Sequence, residues 1–339
     1  MLADINKSRR NFDETLFLKS IRKRKIAATI CIAFLLPVIM AVFYFFMQQR
    51  HYILISILVL AVVILPFLVM FEFRRPKARD VVLISSMTAF TAMGNVICTH
   101  TVPLHAGTAL VVISGISLGP EAGFLVGALG RFVCNIFDGQ GPWTPWQMVC
   151  WGLIGFMSGI VFNRVDIKAD SLFEESTGRT EDSFKIIMGP VISIIVSELL
   201  GLTVYVLTQN DKNLSGYIGW WLYAFGVLGL IAGVIFQRKK LHADTMTMTI
   251  FTFFISFIIY GGIMNFASLL MDAGMNPESQ SVTANTIRLV YITGVPYDLQ
   301  HGIGAALCIF FFGESFIKKI QRIKIKYGLI HPKHSGRAK

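Results

Sequence analysis

The chain has 339 residues, of which 54% are hydrophobic and only 15% charged. A soluble domain carries about a quarter charged residues, so this composition excludes an ordinary soluble fold and points to a polytopic membrane protein. The net charge of +11 raises nucleic acid as a partner, but the positions of the cations decide otherwise.

Roughly 20 apolar residues cross the hydrocarbon core as a helix. In chain order, candidate spans fall at 26–47, 52–71, 81–98, 106–118, 120–137, 147–163, 186–208, 219–237, 245–271 and 296–317. The expected architecture is therefore all-α, a membrane helix bundle of about ten spans. The run at 106–118 is short, and Gly119-Pro120 after it ends one helix and starts the next. Residues 1–80 read as a basic leader and a helix pair. Residues 81–163 read as four closely spaced helices, 164–240 as a charged loop and a second helix pair, and 245–339 as two helices and a basic tail.

Ten spans put both termini on one side. On that side fall 27 of the 31 Lys and Arg residues, against three on the other and Arg131 alone within a span. Such a bias places both termini in the cytoplasm of a cell-membrane protein. The cations then flank the bilayer and face anionic lipid, which removes nucleic acid as a partner. The five cysteines lie in apolar runs without a Cys-x-x-Cys pair, so neither a disulfide framework nor a thiolate metal site is expected.

Polar groups inside the spans need a reason, because the bilayer makes them costly. In the 81–98 helix, Thr88, Thr91, Asn95 and Thr99 form a polar stripe beside the small residues Ser85, Ala89 and Ala92. In the 120–137 helix, Arg131, Asn135 and Asp138 share one face. Gly123, Gly127 and Gly130 line a face of the same helix and predict close packing. That helix runs into "DGQGPWTPWQM", Asp138–Met148, which is rigid, aromatic and rich in amides. Prolines and tight turns limit its freedom, so Gln140, Trp143, Trp146 and Gln147 could stack on and hydrogen-bond a ligand at reduced entropic cost. An interfacial aromatic belt is the plainer account of the tryptophans.

The last span opens with "GVPYDLQHG", Gly294–Gly302. Pro296 suits a first helical turn, and Asp298 and His301 fall on one face at the outer end. Asp-x-x-His with His100 and His105 could ligate a metal, but no helical i, i+4 histidine pair supports it, so no metal or other cofactor is expected. Asn265 is a further candidate in the outer half of its helix. The convergent set is Asn95, Thr99, Arg131, Asn135, Gln140, Trp143, Trp146, Gln147, Asn265, Asp298 and His301, all expected to bind a small molecule from outside.

Absences narrow the function. The chain carries no G-x-x-x-x-G-K-[ST], no H-E-x-x-H and no G-x-S-x-G, and almost no acidic residues at span centres. A membrane receptor energised by other subunits fits these absences better than an enzyme.

The stretch Ser117–Gly159, with "GQGPWTPWQ" as its specific part, resembles the substrate-binding S components of energy-coupling factor (ECF) vitamin transporters, as does Gly294–Leu329. Within that family it is most similar to the cobalamin-linked subgroup. The resemblance implies a six-helix core, here 81–163 with 245–271 and 296–317. The pairs at 26–71 and 186–237 would be additions. It further implies a vitamin-like substrate, here a corrinoid, and two partners, a membrane T component and cytosolic ATPases. Ser85, Ala89 and Ala92 stand where the family docks its T component. The rival readings are a self-sufficient secondary transporter and a membrane enzyme acting on lipid.

Overall fold

The computed structural model describes residues 78–101, 104–162, 179–208, 214–236, 241–275 and 283–327, with scattered positions between 58 and 72. The basic leader, most of the 26–71 pair, the loop at 163–178 and the end of the basic tail lie outside the described residues. Among the described residues every regular element is helical, apart from a lone bridge between Phe162 and Leu241.

The first four helices are α1 (Ala78–Thr101), α2 (Ala106–Leu118), α3 (Pro120–Asp138) and α4 (Thr144–Val161). Gly119 at φ 101° lets the chain reverse in one residue between α2 and α3, with Pro120 opening the new helix. Gly139 at φ 100° ends α3 in the same way. The predicted glycine face of α3 is a contact face. A Cβ on Gly123 would stand 2.6 Å from the Gly155 carbonyl oxygen of α4, and one on Gly127 would stand 2.9 Å from the Gly152 nitrogen. Small residues thus let two membrane helices approach backbone to backbone, where dispersion rather than hydrophobicity must hold them.

The chain continues with α5 (Arg179–Thr208), the short α6 (Leu214–Tyr217) and α7 (Trp220–Phe236). Helices α5 and α7 form a hairpin in which Gly201 receives Phe225 and Gly229 faces the backbone of Ile194. Next come α8 (Thr245–Ile255), a π-helical turn at Ser256–Tyr260, and α9 (Gly261–Met275). Asp244 caps α8 by accepting from the Thr247 amide at 3.0 Å. Finally α10 (Ala284–Cys308), a second π turn at Ile309–Gly313 and α11 (Glu314–Lys326) run as one rod.

Two expectations change here. The last span was expected to begin at Pro296. Instead Thr283 caps α10 through the Thr286 amide at 3.2 Å, and Pro296 lies inside the helix. A membrane helix tolerates an interior proline when neighbouring groups re-satisfy the freed carbonyl. Asp298 and His301 consequently sit in mid-helix and not at its outer end. The count of ten spans is also not reached among the described residues. Ala78–Thr101, Ile186–Thr208 and Thr245–Asp272 are long and apolar enough to cross a membrane, and Ala106–Leu118 and Trp220–Phe236 are shorter apolar helices.

Of the small residues on α1, Ser85 and Ala89 are exposed. Ala92 is 3% exposed and belongs to the main apolar core with Val111, Val126 and Trp151. A docking role for Ala92 is therefore corrected. Ser85 and Ala92 are seven residues apart and share a face at 100° per residue, so Ala92 is buried because the core with Val111 and Val126 covers that face at its level.

Candidate functional site

Arg131 lies within α3, and its surroundings organise the site. Its Nε donates to Gln147 Oε1 at 2.9 Å. The same oxygen accepts from Asn135 Nδ2 at 2.9 Å, and Asn135 Nδ2 also donates to Thr144 Oγ1 at 2.9 Å. Spacing of four places Arg131 and Asn135 on one face of α3. Gln147 and Trp151 share a face of α4 for the same reason. The guanidinium lies 5.3 Å from the centroid of the Trp151 ring, a cation–π distance. Towards the end of α3, Asp138 approaches Arg131 at 3.9 Å and His100 at 3.6 Å, too loosely for either contact to fix the arginine.

A second wall meets the first. His301 of α10 shares a hydrogen bond with Thr108 of α2 at 2.8 Å, and its ring stacks on His105 with centroids 4.1 Å apart. Tyr260, in the π turn, packs edge-on against His301 at 4.2 Å and lies beside Gln147. Asn95 is buried where Gly107 opens α2, so close that a Cβ on Gly107 would stand 2.9 Å from Asn95 Oδ1. His105 lies in the connection before α2, and burial, followed by the Arg131 charge, holds it below its ordinary pKa. A neutral imidazole therefore faces the guanidinium at neutral pH. Helices α1 to α4, the π turn and α10 thus bring Asn95, His105, Thr108, Arg131, Asn135, Gln147, Trp151, Tyr260 and His301 into one neighbourhood.

Some of the expected residues go elsewhere. Thr99 is exposed on α1, and Gln140 is exposed and donates back to the Phe132 carbonyl at 3.1 Å, closing the end of α3. The two indoles do not form a shared cap. Trp143 is 37% exposed and folds over Gly141. Trp146 is 0% exposed within an apolar cluster containing Phe124 and Leu270, with Phe266 edge-on at 6.4 Å. A stacking role for Trp146 is accordingly corrected: three residues along α4 from Trp143, it points between α3 and α9 and has no free ring face. Trp151, one turn beyond Gln147, is the indole that packs against Arg131.

Asn265 and Asp298 meet each other, not the arginine. Asn265 Nδ2 donates to Asp298 Oδ2 at 2.8 Å, and the Tyr223 hydroxyl of α7 donates to the same oxygen. Tyr223 packs at 5.2 Å from Tyr291, whose hydroxyl donates to the Gly262 carbonyl. This buried knot ties the α5–α7 hairpin to the core, and Asp298 lies one helical turn from His301. Replacing Tyr223 with phenylalanine leaves the carboxylate with Asn265 as its hydrogen-bond donor. The expected loss is about 1–3 kcal/mol of stability, read as a lower melting temperature, whereas Tyr297→Phe at an exposed position should change nothing.

No cluster of three or more metal-ligating side chains occurs among the described residues. Sequence reasoning missed Thr108, Trp151, Tyr223 and Tyr260. Trp151 was detectable as the i+4 neighbour of Gln147. Tyr260 was not, because the π turn rotates its helix out of the 3.6 period.

Residues 75–213 match the family model described as "ECF-type riboflavin transporter, S component". Among curated proteins, a UPF0397 protein of Vibrio atlanticus (strain LGP32) is 32% identical over 90 residues, covering 25% of this chain and 48% of its own length. A UPF0397 protein of Aliivibrio fischeri (strain MJ11) is 30% identical over the same length and coverage. A UPF0397 protein of Clostridium perfringens is 23% identical over 145 residues, 42% of this chain and 77% of its own. The chain spans about half the length of the first of these relatives. No solved structure matches the chain. The match is to a family of transporter components over residues 75–213 and gives no support to the cobalamin-linked subgroup.

Proposed function

We propose that this chain is the substrate-binding subunit of an ECF-type importer. It captures a vitamin-like small molecule at the Arg131–Gln147–His301 site and works with a membrane T component and cytosolic ATPases. The observation that carries this reading is the convergence of five separate segments on one intramembrane arginine. The carboxylate beside it, Asp138, stays at 3.9 Å, so Arg131 is held mainly by an amide and an indole face. Two polar atoms at the site support it further. Asn135 Oδ1 and Trp151 Nε1 are buried and have no protein hydrogen-bond partner, which is what a wall built to receive donor and acceptor groups presents.

The absence of a phosphate-binding loop from the sequence agrees with ATP hydrolysis in partner subunits. The net positive-inside bias supports cytoplasmic termini and puts the Asp138 end of the bundle outside. The substrate is a vitamin whose rings and amides fit a guanidinium, three amides and two imidazoles. A corrinoid and riboflavin, the latter named by the family model, are the two chemistries to test first.

The test is equilibrium binding of riboflavin and cyanocobalamin to the purified full chain by fluorescence quenching and by calorimetry. Saturable one-to-one binding of one of them, lost in Gln147→Ala, is the expected result. Binding of neither, together with ion-gradient-driven uptake by the chain alone in liposomes, would favour the secondary-transporter reading.

A further inference from the structure

Helix α11 continues the α10 rod beside the Gly119 end of the bundle and is held there by three contacts. Thr245 Oγ1 of α8 donates to Glu314 Oε2 at 2.9 Å, and Lys324 Nζ donates to the Ser117 carbonyl of α2 at 2.6 Å. Arg79 of α1 donates to the carbonyl of Tyr327, just past the helix. Ile317 and Ile320 are buried beneath it. These contacts fix which face α11 turns outward.

The outward face is cationic. Lys318, Arg322 and Lys326 recur at spacing four, Lys319 stands beside them, and all four are exposed. Glu314 is the sole acid of the helix, and it is engaged by Lys318 at 2.7 Å and by Thr245. The exposed apolar residues Ile323 and Tyr327 lie among the cations. Immediately before α11 the rod exposes Phe310, Phe311 and Phe312, an apolar band suited to acyl chains. At 1.5 Å per residue, Lys318 and Lys319 lie about 9–11 Å beyond Phe312, at the depth of phospholipid headgroups.

We propose that the exposed face of α11 binds the headgroups of anionic phospholipids. Charge complementarity favours this occupant: a row of four cations, continuous with a lipid-facing apolar band, faces the leaflet that carries the anionic lipid. Ile323 and Tyr327 supply the interfacial apolar contact that basic amphipathic helices use. Because α11 is bonded to α1, α2 and α8 at once, lipid held there braces the inner ends of all three.

The experiment titrates the purified full chain in detergent micelles with dioleoylphosphatidylglycerol or dioleoylphosphatidylcholine and counts bound lipid by native mass spectrometry. The expected result is a preference for phosphatidylglycerol of about tenfold at low salt that disappears at high salt. The variant Lys318→Gln/Lys319→Gln/Arg322→Gln/Lys326→Gln should lose that preference and bind phosphatidylcholine as before. Should the fourfold variant fail to fold, Lys319→Gln/Lys326→Gln, which touches neither Glu314 nor the pinning contacts, should lose about threefold. Equal affinity for the two lipids, or an undiminished preference in the variants, would overturn the proposal and leave the face to an acidic protein surface.

Discussion

Replacing Arg131 with alanine is expected to weaken substrate binding by about 10- to 100-fold while leaving the bundle folded. The magnitude follows from a hydrogen bond to a charged donor, worth about 1.5–3 kcal/mol, in a site from which water is largely excluded. The fold should survive because Gln147 Oε1 keeps its second donor, Asn135, and Asn135 keeps Thr144. Arg131→Lys tests the geometry. Lysine keeps the charge but lacks the planar fork that reaches Gln147 while lying over Trp151, so it should recover only a small part of the affinity. If Arg131→Ala instead lowered the melting temperature sharply and left affinity intact, the arginine would be a structural bridge.

The other large effect concerns packing. Gly155→Ala is expected to lower the melting temperature by on the order of 5–10 °C, because overpacking a close contact costs about 1–3 kcal/mol. The new Cβ would press on the Gly123 carbonyl, which is backbone and cannot swing away. Helices α3 and α4 would have to separate, and with them Arg131, Asn135, Gln147 and Trp151. Substrate affinity should therefore fall along with stability, even though Gly155 lies two turns from Gln147. Gly189→Ala in α5 is the control. Nothing lies within 4 Å of its Cβ position, and alanine is the better helix former, so stability should hold or rise slightly.

The bundle was legible where its rules are local. Apolar length gave α1, α3 and α4, and Gly119-Pro120 gave the tight turn between α2 and α3. The spacing of Gly123 and Gly127 gave the face that meets α4. Local reading failed at the last span because Pro296 imitates a helix start, while the real cap, Thr283, precedes a polar turn that looks like loop. In the site, Arg131, Asn135 and Gln147 were legible as charge and amides where a bilayer should have none. Asp298 carried the same signal and led elsewhere. A buried carboxylate is equally costly whether it faces a ligand or a tyrosine, and its partner Tyr223 lies 75 residues away on α7. The tryptophans misled for a related reason. Residue type announces an aromatic surface, but only tertiary packing decides that Trp146 fills the core while Trp151 meets the arginine.

What most directly tests the receptor reading is the small molecule carried by the protein itself. The full chain and its Asn135→Ala/Gln147→Ala variant should be purified side by side from vitamin-replete cells and the released compounds identified by mass spectrometry. The wild-type chain should release one vitamin-like compound in near one-to-one ratio, and the variant less than about a tenth of that, the consequence of losing two buried hydrogen-bonding groups. Equal release from both proteins, or no compound above the background of an unrelated membrane protein, would contradict a binding site at this place.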